Sequence, residues 1–194
     1  MATISISSGN TGEYELTGDI QKKRDSDYWK SIEFSLMEKA AVSYYPSYVE
    51  EEAIHAIHPE YKIKAITAYV YEKFLENIDK DFAKREGLLF VGGFAHPPNA
   101  DAVLWFAKEI FPLIRQRIDV NFYVVGSKVT DEIKALEQPG SGIIVKGFVT
   151  EEELASLYST SRIVVVPLRY GAGVKGKVVE AVYNGAAIVT TSIG

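Results

Sequence analysis

Apolar and polar positions follow two different rhythms along the chain, and the change near Leu88 divides it. Beyond that point short apolar runs recur: LLFVGG (88–93), NFYVVG (121–126), IIVKGFV (143–149), RIVVVPL (162–168) and AAIVTT (186–191). Runs of this length, rich in β-branched residues, predict buried strands. Between them lie stretches with helical spacing over 99–118, 131–138, 151–161 and 174–185. Asn99 and Thr150 stand where N-caps are expected, and Pro112 predicts a kink in the first of these helices. Strands alternating with helices predict an α/β fold, a doubly wound parallel sheet covered on both faces. Right-handed crossovers then place all strand carboxyl ends along one edge.

Upstream the rhythm is less regular. Residues 1–26 are polar and turn-rich and read as a flexible leader. DYWKSIEFSLMEKA (27–40) has helical spacing, and AVSYY (41–45) reads as a strand stopped by Pro46. Ser47 and Glu50 form a capping box for a helix over 48–58, and IKAITAYV (63–70) reads as a second strand. The strand–helix–strand piece over 41–70 is too small to be a domain, and 27–70 reads as a partial α/β segment. Residues 71–87 are charged with sparse apolar positions, as in a linker or an amphipathic helix. The expected organisation is therefore a piece of a longer protein. It would hold the tail of one α/β domain, a connector, and most of a second domain over 88–194, truncated at its C-terminus.

Composition narrows the function classes. A formal charge of −5 argues against a nucleic-acid platform, and the lack of cysteine removes disulfides and thiolate metal sites. The N-terminus lacks a basic region followed by an apolar core, so no secretory signal is expected. No apolar run reaches the ~18 residues of a membrane span, and a cytoplasmic location is the default expectation. His55 and His58 lie three apart with no third ligand nearby, so no metal site is expected there.

The stretch GAGVKG (171–176) spells G-x-G-x-x-G. That pattern signals a dinucleotide only directly after the first strand of a βαβ unit, with an acidic residue about 20 positions on. Here it follows the fourth strand of the regular region. Pro167, Leu168, Arg169 and Tyr170 intervene, and no acidic residue stands about 20 positions on. A nicotinamide or flavin site is not expected.

The turn still suits an anion. Gly171 and Gly173 precede a helix whose amino end carries partial positive charge. At about 100° per residue, Val174, Val178, Ala181 and Val182 share one face of that helix, while Lys177, Glu180 and Asn184 share another. The polar stripe is either a solvated face with a Lys–Glu pair or one wall of a cleft, with Lys177 on phosphate and Glu180 on ribose hydroxyls. A second glycine turn, Gly92 and Gly93, joins a strand to a helix at the same predicted edge. His96 lies within it, either simply exposed or a donor to an anion. Glu151, Glu152 and Glu153 follow Thr150 and complement a helix dipole.

Three blocks in this order, LLFVGGFAHPPNADAVLWF, IIVKGFVTEEEL and RIVVVPLRYGAGVKGKVVEAVYNGAAIVTT, carry a resemblance. They look like the C-terminal, donor-binding half of GT-B fold glycosyltransferases of the family 4 type, a Rossmann-like domain. The match covers about residues 85–194, and 27–70 resembles, more weakly, the end of the N-terminal, acceptor-side domain. The resemblance implies that Glu180 holds the ribose of a sugar nucleotide. It places Gly171, Gly173, Lys175 and Lys177 at the diphosphate and sugar, with Gly92, Gly93 and His96 lining the other side. Phe148 and Val149 would frame the base.

The implied reaction is glycosyl transfer from a nucleotide-diphosphate sugar to a glycan or other hydroxyl acceptor, with retention expected. No cofactor or metal is implied, as neither turn carries a DxD-like pattern. Peripheral membrane association would come through parts outside this chain. One departure stands out: many members carry E-x7-E, but eight positions before Glu180 is Ala172. Rival readings are a nucleotide-sugar epimerase of the same shape, a non-catalytic nucleotide-binding domain and, behind both, a dehydrogenase. A base for the acceptor would come from outside this chain, so it is not expected to catalyse transfer alone.

Overall fold

The computed structural model describes residues 3–66, 69, 71 and 82–194. The chain divides into two compact units. One comprises Met1–Tyr71, Tyr170–Val174 and Ile193; the other comprises Glu72–Arg169, Lys175–Ser192 and Gly194.

The first unit opens with two helices, α1 (Thr3–Thr17) and α2 (Ile20–Lys39). The expected flexible leader is thus corrected: α1 occupies most of it, and α2 begins at Ile20 rather than at 27. The cause lies in a cap and in pairing between the helices. Asp19 is the N-cap of α2 and accepts from the Gln21 N–H. Thr11 and Ser26 share a 2.6 Å hydrogen bond, and Lys22 pairs with Glu13 at 3.1 Å.

Next come β1 (Ser43–Tyr45), α3 (Tyr48–Ile57) and β2 (Ile63–Ala65). Ser47 caps α3, accepting from the Val49 N–H. β1 and β2 pair in parallel with α3 as the crossover, around a small core of Met37, Tyr45, Ile54 and Ile63. Of the strand expected over 63–70, Ile63–Ala65 form the ladder with β1 among the described residues. Residues 67, 68 and 70, and 72–81 of the expected linker, lie outside the described residues; Phe82–Lys84 form one 3₁₀ turn.

The second unit holds the five expected strands: β3 (Leu88–Val91), β4 (Phe122–Val125), β5 (Ile143–Gly147), β6 (Ile163–Val166) and β7 (Ile188–Thr190). They form one all-parallel sheet in the order β5-β4-β3-β6-β7. From β3 the chain winds outward to β5, then returns to the other flank of β3 for β6 and β7. The winding direction therefore reverses between β3 and β6, where Leu88 pairs with Ile163 and Leu89 with Val164. Leu89, Phe90, Phe122, Val124, Val164 and Val166 are buried. Each such side chain contributes roughly 1.5–3 kcal/mol by leaving water, which explains why these strands read as continuous apolar runs.

The helix expected over 99–118 is in fact three pieces. α4 spans Pro97–Trp105, Phe106–Ile110 form a π-helical turn, and α5 spans Phe111–Arg115. Pro112 has no N–H and its ring crowds the carbonyl one turn earlier, and the wider π turn precedes it. Asn99 is not the N-cap: His96 occupies that position, with Pro97 opening the helix. α6 (Asp131–Lys134) is only one turn, α7 spans Glu151–Thr160 and α8 spans Gly176–Tyr183. Thr150 caps α7 as expected, accepting from the Glu153 N–H. No helix among the described residues is long and apolar enough to cross a membrane.

Candidate functional site

In an open parallel sheet, a crevice forms outside the carboxyl ends of the two strands at which winding reverses. Here those strands are β3 and β6. β3 runs into Gly92 and Gly93, and β6 runs through Arg169 and the glycine turn into α8. Both connections leave from one edge because the strands are parallel neighbours.

The turn after β3 is shaped by close packing. A Cβ on Gly92 would lie 3.0 Å from Asn99 Nδ2 and 3.1 Å from Lys177 Nζ. Glycine is needed there to admit two polar side chains, not to provide unusual backbone torsion. Gly126, after β4, presses on the carbonyl of Gly92, where a Cβ would lie 1.8 Å from the oxygen. Gly93 faces Ser127, whose carbonyl accepts the Phe94 N–H at 2.9 Å.

Lys177 sits in the first turn of α8. Its ammonium donates to Asn99 Oδ1 and lies 4.9 Å from the centre of the Phe90 ring. Burial, and then the charge of Lys175, lower its pKa from 10.5 to about 8. His96 is exposed but crowded: partial desolvation, then Lys177 and Lys175, hold its pKa below the usual histidine value. Three basic groups from two elements therefore act on one another. Such an arrangement is costly in the free protein and favours an anion.

Glu180 lies one turn further along α8 and accepts from the Tyr158 hydroxyl of α7 at 3.1 Å. Asn184 donates its side-chain amide to the Glu180 main-chain carbonyl at 2.8 Å. Lys177 and Glu180 thus take their partners from α4 and α7, and the solvated Lys–Glu pair that their spacing allows is not formed. The apolar face of α8 is narrower than its spacing implied: Ala181 is buried and Val178 packs on the core, whereas Val174 and Val182 are exposed. Lys175 is the α8 N-cap residue, with no side-chain capping bond.

Gly171 and Gly173 have φ of +130° and +73°, conformations that only glycine adopts without strain. They cluster with the first unit, whereas Lys175 onward belongs to the second. Phe148 and Val149 follow β5, the edge strand two places from β3; Phe148 is 81% exposed and Val149 packs on the core. They leave the sheet two strands from β3, whereas Lys177 and Glu180 lie on α8, between β6 and β7 along the chain. A cavity of about 440 Å³ opens at the opposite, amino-terminal end of the strands, lined by Arg85, Glu86, Asn121 and Arg162 among others. None of the candidate residues lines it.

Two residues escaped the sequence reading, Asn99 as a hydrogen-bonding partner and Tyr158. Pro97 and Pro98 were the available signal for the first, because proline at a helix start displaces the cap to the residue before it. Elsewhere, His55 bonds the Tyr61 carbonyl, and His58 pairs with Glu60 and stacks on Tyr61, so both serve the first unit's packing. Among the described residues no group of three or more histidine or acidic side chains is placed to hold a metal ion.

An uncharacterized 44.6 kDa protein in the cps region of Klebsiella pneumoniae is 29% identical over 139 residues, covering 68% of this chain and 34% of that protein. Sucrose-phosphate synthase from Thermosynechococcus elongatus superposes with a TM-score of 0.69 at 18% identity, over 96% of this chain and 49% of that one. The pneumococcal O-GlcNAc transferase GtfA, solved with UDP and GlcNAc, superposes with a TM-score of 0.62 at 17% identity, over 86% of this chain and 33% of that one. At these identities the likeness is one of fold, the GT-B fold. The chain spans about a third of the curated relative's length. The profile of the family described as Glycosyl transferases group 1 matches residues 85–194, more than half of the chain, and the protein belongs to that family.

Proposed function

We propose that residues 88–194 form the donor-binding half of a glycosyltransferase. In this reading they hold a nucleotide-diphosphate sugar whose glycosyl group passes, with retention, to a hydroxyl of a glycan or similar acceptor. One observation carries the reading. At the switch point of the sheet, a cation and a carboxylate one turn apart on α8 are each held by a buried side chain from another element. Family membership and the UDP complex of the GtfA neighbour support the same ligand class.

Lys177 and Lys175, with His96 across from them, meet the diphosphate. They stabilise the charge that develops on the leaving nucleotide as the anomeric carbon gains oxocarbenium character. Gly92 and Gly93 let the anion approach the first turn of α8. Glu180 accepts from ribose hydroxyls. Phe148 and Val149, which follow β5, frame the base in this reading. With Ala172 at the position of the first glutamate of E-x7-E, the sugar is held by other groups. No divalent metal is required in this scheme, so EDTA should leave binding unchanged. The acceptor's base comes from outside this chain.

A thermal-shift panel of UDP, GDP, ADP, their sugars and NAD tests the reading. A ligand at 100 times its dissociation constant adds about 2.7 kcal/mol of stability. Stabilisation by one nucleoside diphosphate and its sugar is expected; stabilisation by NAD alone would overturn the assignment.

A further inference from the structure

Asn99 lies within α4 and is 6% exposed. Its Nδ2 donates to the Gly93 carbonyl at 2.8 Å, and its Oδ1 accepts from the Lys177 ammonium. The orientation of the amide follows from chemistry: an ammonium only donates and a carbonyl only accepts, so Oδ1 must face Lys177 and Nδ2 must face Gly93. A leucine of similar size would satisfy neither group. An aspartate would satisfy Lys177 but could not donate to Gly93.

Two features follow. The first glycine turn and α8 are joined through one side chain, that of Asn99, which lies 78 positions before Lys177. In addition, among the described residues the partner of the Lys177 ammonium is a neutral amide, not a carboxylate. A part-buried ammonium is ordinarily neutralised by an acid. Here its charge is left uncompensated beside Lys175 and His96, with which it interacts unfavourably. The amide therefore fixes the position of the cation without cancelling its charge.

We infer that Asn99 is a positioning residue for phosphate binding: it holds the Lys177 ammonium at the Gly92–Gly93 turn while leaving its full charge to a bound diphosphate. The inference rests on the donor-site reading above. It assigns a role to a residue that touches Lys177 rather than the ligand.

A double-mutant cycle tests it. The chain and its Asn99→Ala, Lys177→Met and doubly substituted variants are titrated with whichever of UDP, GDP and ADP binds tightest. Loss of a charge-assisted contact weakens binding by about tenfold or more, and Asn99→Ala should approach that loss. In the Lys177→Met background the same substitution should change affinity by less than about twofold. A purely structural role would give equal losses in both backgrounds and would overturn the inference while leaving the donor site intact. Asn99→Asp supplies an independent arm. It hands Lys177 a carboxylate, so affinity should fall about tenfold even where the variant is as stable as the parent. Undiminished affinity in Asn99→Asp would also overturn the inference. If the parent chain binds none of the three nucleotides, both the inference and the donor-site reading fall together.

Discussion

The hydroxyl of Tyr158, a side chain with no exposure to solvent, donates to Oε2 of Glu180 across 3.1 Å. The bond ties the carboxylate of α8 to the core-facing side of α7. A carboxylate held this way is already oriented before a ligand arrives, which reduces what binding must order.

Tyr158→Phe keeps the ring and deletes that bond. The expected cost in stability is about 0.5–1.5 kcal/mol, the range for one hydrogen bond. Nucleoside diphosphate affinity should fall several-fold as Glu180 loses its orientation. Urea denaturation and calorimetric titration of the same preparations measure both. An unchanged affinity would mean that the bond serves packing alone.

Binding should be coupled to protons near pH 8. Lys177 titrates at about pH 8 in the free protein, because burial and Lys175 disfavour its charged form. A diphosphate reverses that balance and raises the pKa, so at pH 8 binding takes up part of a proton. His96, held below the usual histidine value, titrates well under that window. The charged lysine costs stability below pH 8, and that cost is relieved as pH rises from about 8 towards 10.5. Titrations at pH 8 in two buffers of different ionisation enthalpy should give different apparent enthalpies. Lys177→Met should remove the difference, and a buffer-independent enthalpy in the parent would contradict the assignment.

Gly92→Ala and Gly93→Ala should behave differently. An added Cβ at 92 meets Asn99 at 3.0 Å and Lys177 at 3.1 Å, so it presses on the hydrogen-bonded pair itself. At 93 it meets only the Ser127 hydroxyl, at 3.3 Å. The first substitution should weaken nucleotide binding by about tenfold, the worth of a displaced charge-assisted contact, and the second by less. Parallel titrations settle the order, and equal effects would detach Gly92 from Lys177.

The sheet was legible because each central strand is a run such as LLFV or IVVV, bounded by turns and buried on both faces. The alternation with helices also yielded parallel order. Less was legible where partners are distant in sequence. Lys177 and Glu180 are spaced to pair with each other, yet their partners lie 78 and 22 positions away. Tyr158 reads as an ordinary core position of an amphipathic helix. Asn99 before an apolar run looks like a cap, because its side chain suits that task locally. α1 was missed because serine, threonine and glycine, poor helix formers, dominate its sequence, and its pairing with α2 overrides that preference.

The central claim is that Glu180 is a ligand-binding carboxylate rather than a structural one, and one titration tests it most directly. The parent chain and Glu180→Gln, which keeps the shape and removes the charge, are titrated with the best-binding nucleoside diphosphate. Loss of a charge-assisted acceptor costs about 1.5–3 kcal/mol, so the glutamine variant should bind roughly ten- to hundredfold more weakly. Equal affinities for the two proteins would contradict the account and leave Glu180 as no more than the acceptor of the Tyr158 hydroxyl.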